Sequence, residues 1–80
     1  MIDIFESIEA ELRRQEIKHG TKPHHPLEWN AILGEEVGEV NTECLEYTFN
    51  DKSTDDMIVE LTQVAAVAIA WIADLKKKNS

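Results

Sequence analysis

Glu35, Glu36, Glu39, Glu43 and Glu46 crowd into one stretch, LGEEVGEVNTECLE, that is otherwise patterned as an amphipathic helix. Successive helical residues turn by about 100°, so positions three, four and seven apart share a face. Glu36, Glu39 and Glu43 therefore fall in one strip, with Glu35 and Glu46 at its solvent edge. The strip borders the apolar positions Trp29, Leu33, Val40 and Cys44. On a solvated face such pairs cost only about 0.2 to 0.5 kcal/mol each, and a plain acidic surface is one reading. Against a core, two carboxylates about 6 Å apart at an effective dielectric near 20 repel by roughly 2.8 kcal/mol. A cation is then the natural neighbour.

Glu60 sharpens the choice. It shares a side of a later helical stretch with Val64, Val67 and Trp71, an apolar surface on which a lone carboxylate is strongly penalised. Protonation, an ion pair or a metal would make it tolerable. Before the C-terminal lysines, Lys52 is the only basic residue in or near these two segments, so the pattern offers no evident ion-pair partner and metal is the economical reading. Asp56 and Gln63, four residues before and three after Glu60, add two oxygen donors to the same strip. A set of carboxylate and amide oxygens suits Mg²⁺ or Mn²⁺ and lacks the Cys and His ligands typical of zinc. Mg²⁺ commonly takes one or two carboxylates and completes its shell with water and substrate phosphates. The residues thus predict a helical site that holds a phosphate ester through metal, with Glu43 and Asp56 as auxiliary acids.

Such a site needs helices to position it, and only helical periodicity is present. Asp3 with Glu6 resembles a capping box, Phe5, Ile8 and Leu12 make a narrow stripe, and Gly20 is a stop, which predicts a first helix over residues 3–18. HGTKPHHP connects it to a second helix whose first turn holds Pro26 and which runs to Phe49. NDKST turns the chain, and Ser53 or Thr54 with Asp55 and Asp56 starts a third helix ending near Lys77. So short a turn predicts antiparallel packing of the second and third helices. The third helix is apolar nearly all round, from Met57 and Ile58 to Ile72 and Leu75, more surface than one neighbour covers. The expectation is an all-α single domain, residues 1–80, whose helical hairpin completes a bundle by oligomerisation as a dimer or tetramer. Gly34 and Gly38 each cost about 1 kcal/mol in a helix relative to alanine, which predicts a close helix contact behind the acids.

EEVGE, Glu35 to Glu39, followed after twenty residues by ELTQ, Glu60 to Gln63, resembles the EExxE…ExxD signature of the MazG-like all-α nucleoside triphosphate pyrophosphohydrolases. The resemblance covers residues 27–75. It implies Mg²⁺-dependent hydrolysis between the α and β phosphates of a nucleoside triphosphate, giving the monophosphate and pyrophosphate, as in cleansing of a nucleotide pool. By position Glu36, Glu39 and Glu60 match metal-binding carboxylates of the family, Gln63 stands where the family has a metal-binding aspartate, and Glu35 matches a residue that orients or deprotonates the attacking water. An amide can ligate metal but brings no charge, so two alternatives stay open: a non-catalytic module that binds nucleotide or metal, and a purely structural helical oligomer with a solvated acidic stripe.

The rest of the chain narrows the partners. A formal charge of -8 opposes binding to a nucleic acid polymer by counterion release. The longest uninterrupted apolar run, VAAVAIAWIA, has ten residues, about half of what spans a bilayer, and the N-terminus is acidic where a targeting peptide is not. These features predict a soluble, cytoplasmic protein with no membrane partner. A single cysteine, Cys44, allows no intrachain disulfide and reads as a small buried hydrophobe. Trp29 and Asn30 read as core packing or as a platform for a base. Lys76, Lys77 and Lys78 complement a helix C-terminus or meet a triphosphate tail. Trp71 reads as core or subunit interface, and His24 and His25 as exposed loop residues, inert or in reach of a phosphate or a metal.

Overall fold

The computed structural model describes residues 2–79, which form three helices: α1 (Ile2–His19), α2 (Pro26–Phe49) and α3 (Asp55–Lys78). No strand occurs among the described residues. α1 begins before the predicted cap, so Asp3 lies inside its first turn, where its carbonyl accepts a hydrogen bond from Ser7 Oγ at 2.9 Å. Arg13 pairs with Glu9 on its exposed side, and Arg14 pairs with the largely covered Glu11. Gly20 ends the helix with a φ of 77°, and its N–H donates to Glu16 O at 2.7 Å, the left-handed exit that glycine makes without steric cost.

α2 starts on a device the sequence reading passed over. Leu27 N–H donates to His25 Nδ1 at 3.0 Å, and His25 N–H donates to Glu28 Oε1 at 2.9 Å. This is a reciprocal cap with histidine in the place usually held by serine or threonine, and Pro26 occupies the first turn, where its missing N–H costs nothing. His25 is therefore a helix cap, and His24 stacks edge-on against Trp29 with ring centroids 4.9 Å apart. At the start of α3 the Asp55 N–H donates to Ser53 Oγ at 3.3 Å.

α3 packs against both other helices, while the backbones of α1 and α2 stay apart. Contacts pair ever later residues of α2 with ever earlier residues of α3: Trp29 with Asp74, Glu36 with Gln63, and Glu43 with Asp56 through Lys52. Only Ala66 and Val67 are fully buried hydrophobics among the described residues. Two expectations fail here. Cys44 is exposed rather than buried, because it sits on the flank of α2 that turns away from α3. A Cβ built on Gly34 or Gly38 meets nothing within 4 Å, so the close contact expected behind the acids is absent within the described chain.

α3 also qualifies, by length and composition, as a helix able to cross a membrane. The uninterrupted apolar run is short, but a window long enough to span a bilayer tolerates Glu60 or Asp74 within it. A mostly buried core helix passes the same test, but only 11% of this window is buried.

Candidate functional site

The open angle between α1 and α2, floored by α3, is a cleft of about 990 Å³, at the upper end of the range of small-molecule pockets. Glu35, Glu36, Glu39 and Gln63 line one end, and Trp29, His24, Asp74 and Lys77 the other. Ala70 and Ala73 keep the floor low between them, and Arg14, Lys18 and Lys22 line the α1 side.

At the acidic end one carboxylate oxygen from each of Glu36, Glu39 and Glu60 lies within 4.8 Å of the other two. Glu36 and Glu39 are three apart on α2, and Glu60 reaches them from α3. Gln63 closes the group. With Nε2 turned toward the acids it donates to Glu60 Oε2 at 2.8 Å and to Glu36 Oε2 at 2.9 Å; the opposite orientation would set its oxygen against two carboxylate oxygens. Burial, a hydrogen bond with Glu39 and the charges of Glu39, Glu36 and Glu43 push the Glu60 carboxyl up to about 7. Burial and the charges of Glu39, Glu11 and Glu35 also raise that of Glu36, and Arg14 across the cleft partly offsets them. The Glu60 carboxyl hydrogen-bonds with Glu39, and the Gln63 amide donates to Glu60 and Glu36, so hydrogen bonds link all three acids.

The donor chemistry fits a hard divalent ion. Ligand oxygens around Mg²⁺ sit at about 2.0 to 2.1 Å from the metal, so opposite ligands are roughly 4.2 Å apart. Three ligands of one octahedron include at least two adjacent pairs, roughly 2.9 Å apart, so oxygens within 4.8 Å of one another would draw together around the ion. A half-turn of the Gln63 amide replaces its donor by an oxygen ligand without moving the backbone.

The remaining predicted residues divide. Glu35 lines the cleft next to the group but outside it. Glu43 and Asp56, read as auxiliary acids, are bridged by Lys52, at 3.3 Å and 2.9 Å. The expectation that this cluster has no ion-pair partner is thereby corrected: the turn is short enough to lay Lys52 between the first turn of α3 and the penultimate turns of α2. Trp29 lines the cleft, but its Nε1–H donates to Asp74 Oδ2 at 2.8 Å. Asn30 is exposed and, like Lys76, outside the cleft; Lys77 is the C-terminal lysine that lines it.

Two groups escaped sequence reasoning. Asp74, 9% exposed, accepts from Trp29, from Lys78 at 3.2 Å and from the His24 N–H at 3.4 Å, and these bonds hold its carboxyl below the usual range, that from Trp29 most. The latch ties the connector to the end of α3. Its only signal was an aspartate in an apolar helix. Arg14 escaped because its four-residue spacing from Lys18 on α1 marks a basic edge without saying which helix that edge faces.

Comparison with models of known protein families, with characterised proteins and with solved structures finds no match to this chain.

Proposed function

We propose that the chain is a Mg²⁺-dependent nucleoside triphosphate pyrophosphohydrolase, soluble and cytoplasmic, whose α2 and α3 form an antiparallel hairpin around the site. The observation that carries the reading is the group of Glu36, Glu39 and Glu60 with Gln63 at the end of a nucleotide-sized cleft whose α1 wall carries Arg14, Lys18 and Lys22 beside Glu16. The EExxE…ExxQ pattern supports the same reading from sequence. Glu36, Glu39, Glu60 and the Gln63 carbonyl would hold Mg²⁺, or Mn²⁺ in its place, and the ion supplies charge neutralisation for the triphosphate and acidity for water.

The chain's own residues do the rest. Glu35, beside the group and lining the cleft, accepts a proton from the attacking water and aims its lone pair at the α phosphorus. Attack breaks the bond from that phosphorus to the bridging oxygen, and pyrophosphate leaves with that oxygen. Arg14 and Lys18 on α1 and Lys77 on α3 offer counter-charge to the phosphate oxygens that the acids would repel. Trp29, fixed by Asp74, offers an aromatic edge to the base.

The test is a panel of canonical and modified nucleoside triphosphates with Mg²⁺ or Mn²⁺, followed by pyrophosphate release. At least one should yield its monophosphate and pyrophosphate in equal amounts. Release of orthophosphate alone, or no turnover of any nucleotide, would remove the catalytic assignment. Saturable binding of Mg²⁺ with a nucleotide but without turnover would leave the binding module, which the neutral Gln63 favours.

A further inference from the structure

Glu11 and Arg14 form an ion pair unlike its neighbour on α1. Arg13 and Glu9 meet through one contact, with side chains 71% and 65% exposed, an ordinary surface pair of little consequence. The Glu11 side chain is only 12% exposed. Its Oε1 accepts from Arg14 Nε at 2.9 Å, its Oε2 accepts from Arg14 Nη2 at 2.6 Å, and Gln15 Nε2 donates to the same Oε2 at 3.0 Å. The bond with Arg14, and to a lesser degree that with Gln15, holds the Glu11 carboxyl below its usual range against the opposing pull of burial.

A covered carboxylate at this place has a cost. Glu11 is one of the charges that raise the carboxyl of Glu36, so it adds repulsion to a site already crowded with acids. What it supplies in return is a fixed guanidinium. That group carries five N–H donors in one plane. Glu11 engages the Nε–Nη2 edge, which leaves the edge formed by Nη1 and Nη2 uncommitted by Glu11. Parallel donors on one such edge match a pair of phosphate oxygens. Arg14 lines the cleft with its side chain 53% exposed, and its charge is felt at Glu36. The guanidinium is therefore within electrostatic reach of whatever the acidic group holds.

We propose that Glu11 is a positioning residue, which fixes Arg14 so that the guanidinium clamps two non-bridging oxygens of the polyphosphate in the cleft. The proposal rests on the reading of the cleft as a nucleoside triphosphate site, and adds to it a residue of α1 that itself touches no substrate. Holding the arginine beforehand removes the cost of ordering a long side chain when the anion arrives. Gln15 secures the oxygen that receives Nη2, so two side chains one turn apart set one fork.

Binding of inorganic tripolyphosphate with Mg²⁺, measured by calorimetry on the full chain, tests this without turnover and without a base. Arg14→Gln should weaken binding about tenfold or more, the scale of a hydrogen bond to a charged group. Arg14→Lys keeps the charge without the fork and should weaken it nearly as much. Glu11→Met keeps the length and helix propensity of the side chain and removes both acceptors. Losing a negative charge by itself favours an anion, so the informative quantity is the coupling. In the Glu11→Met background, Arg14→Gln should cost less than about threefold. An Arg14→Gln effect as large or larger without Glu11 overturns the inference, because Glu11 would then compete for Arg14 rather than support it. Full affinity in Arg14→Lys overturns it too. Circular dichroism follows the fold of each variant, and Arg14→Lys, at a half-exposed position, decides the role of the fork if Glu11→Met loses helix. For any nucleotide that is turned over, the Arg14 variants should raise KM more than they lower kcat, and a loss confined to kcat counts against the clamp. A wild type that binds no tripolyphosphate with Mg²⁺ overturns the inference, while the nucleotide panel decides the catalytic reading separately.

Discussion

Glu60 carries most of what is testable at the level of one residue. Its carboxyl ordinarily titrates near 4.5 and here is pushed up to about 7 by burial and by Glu39 and Glu36. Between those values the folded protein holds a proton that the unfolded chain has released. The stabilising contribution is complete below the unfolded value and is lost as pH rises through the folded one. In buffer free of divalent ions the melting temperature should therefore fall between pH 5 and pH 8, and Glu60→Gln should flatten that fall. A wild-type profile flat across this window would show that no proton is taken up on folding. The same variant separates a ligand from a structural anion. Losing an uncompensated charge should leave the metal-free protein as stable or more so, whereas removing one partner of a buried ion pair costs about 3 to 5 kcal/mol. Turnover with Mg²⁺ should drop by roughly a hundredfold or more, the scale of deleting one preorganised electrostatic contact in an active site. Full activity in Glu60→Gln would take Glu60 out of the centre.

At the level of elements, the glycines of α2 are informative because of what surrounds them. Open space behind Gly34 and Gly38 means that an added methyl clashes with nothing, while the helix gains the propensity difference of about 1 kcal/mol per site. Gly34→Ala and Gly38→Ala should each raise stability by about that amount in urea unfolding. Loss of stability on either change would reveal a neighbour packed on the back of α2, as the sequence had suggested. Periodicity made the three helices and most of their limits legible, since α1 and α2 each have one apolar face, α3 is apolar nearly all round, and all three have clear start and stop chemistry. The acids of α2 were legible for the same reason: spacing alone puts Glu36 and Glu39 on one face. What periodicity lacks is the rotation of one helix about another. Arg14 faces Glu36 only because of how α1 lies on α3, and Cys44 is exposed because α3 occupies the neighbouring side of α2. Asp74 looked like a polar intrusion in an apolar helix until the connector brought the indole N–H of Trp29 to it. His25 was missed for a local reason, since a histidine cap lacks the usual residue type although it supplies the same acceptor.

The whole molecule carries a net charge of -8, and a compact acidic chain is stabilised by any salt that screens its own repulsion. A rise in melting temperature on adding Mg²⁺ is therefore not by itself evidence of a site. The two effects differ in form. Screening depends on ionic strength, is the same for Na⁺ and Mg²⁺ at matched ionic strength to first order, and does not saturate at low concentration. A site contributes RT ln(1 + [L]/Kd), about 2.7 kcal/mol at a hundredfold excess over Kd, and it disappears with its ligands. Wild-type protein titrated with MgCl₂ against NaCl at constant ionic strength should gain a saturable increment, and Glu60→Gln should follow the NaCl curve in both salts. Coincident MgCl₂ and NaCl curves for the wild type would mean that Glu36, Glu39 and Glu60 hold no ion without nucleotide, and the same titration with a non-hydrolysable nucleoside triphosphate present then decides between a site completed by substrate phosphates and a solvated acidic stripe. The first gives a Mg²⁺-dependent increment only when both are present; the second gives none in any combination.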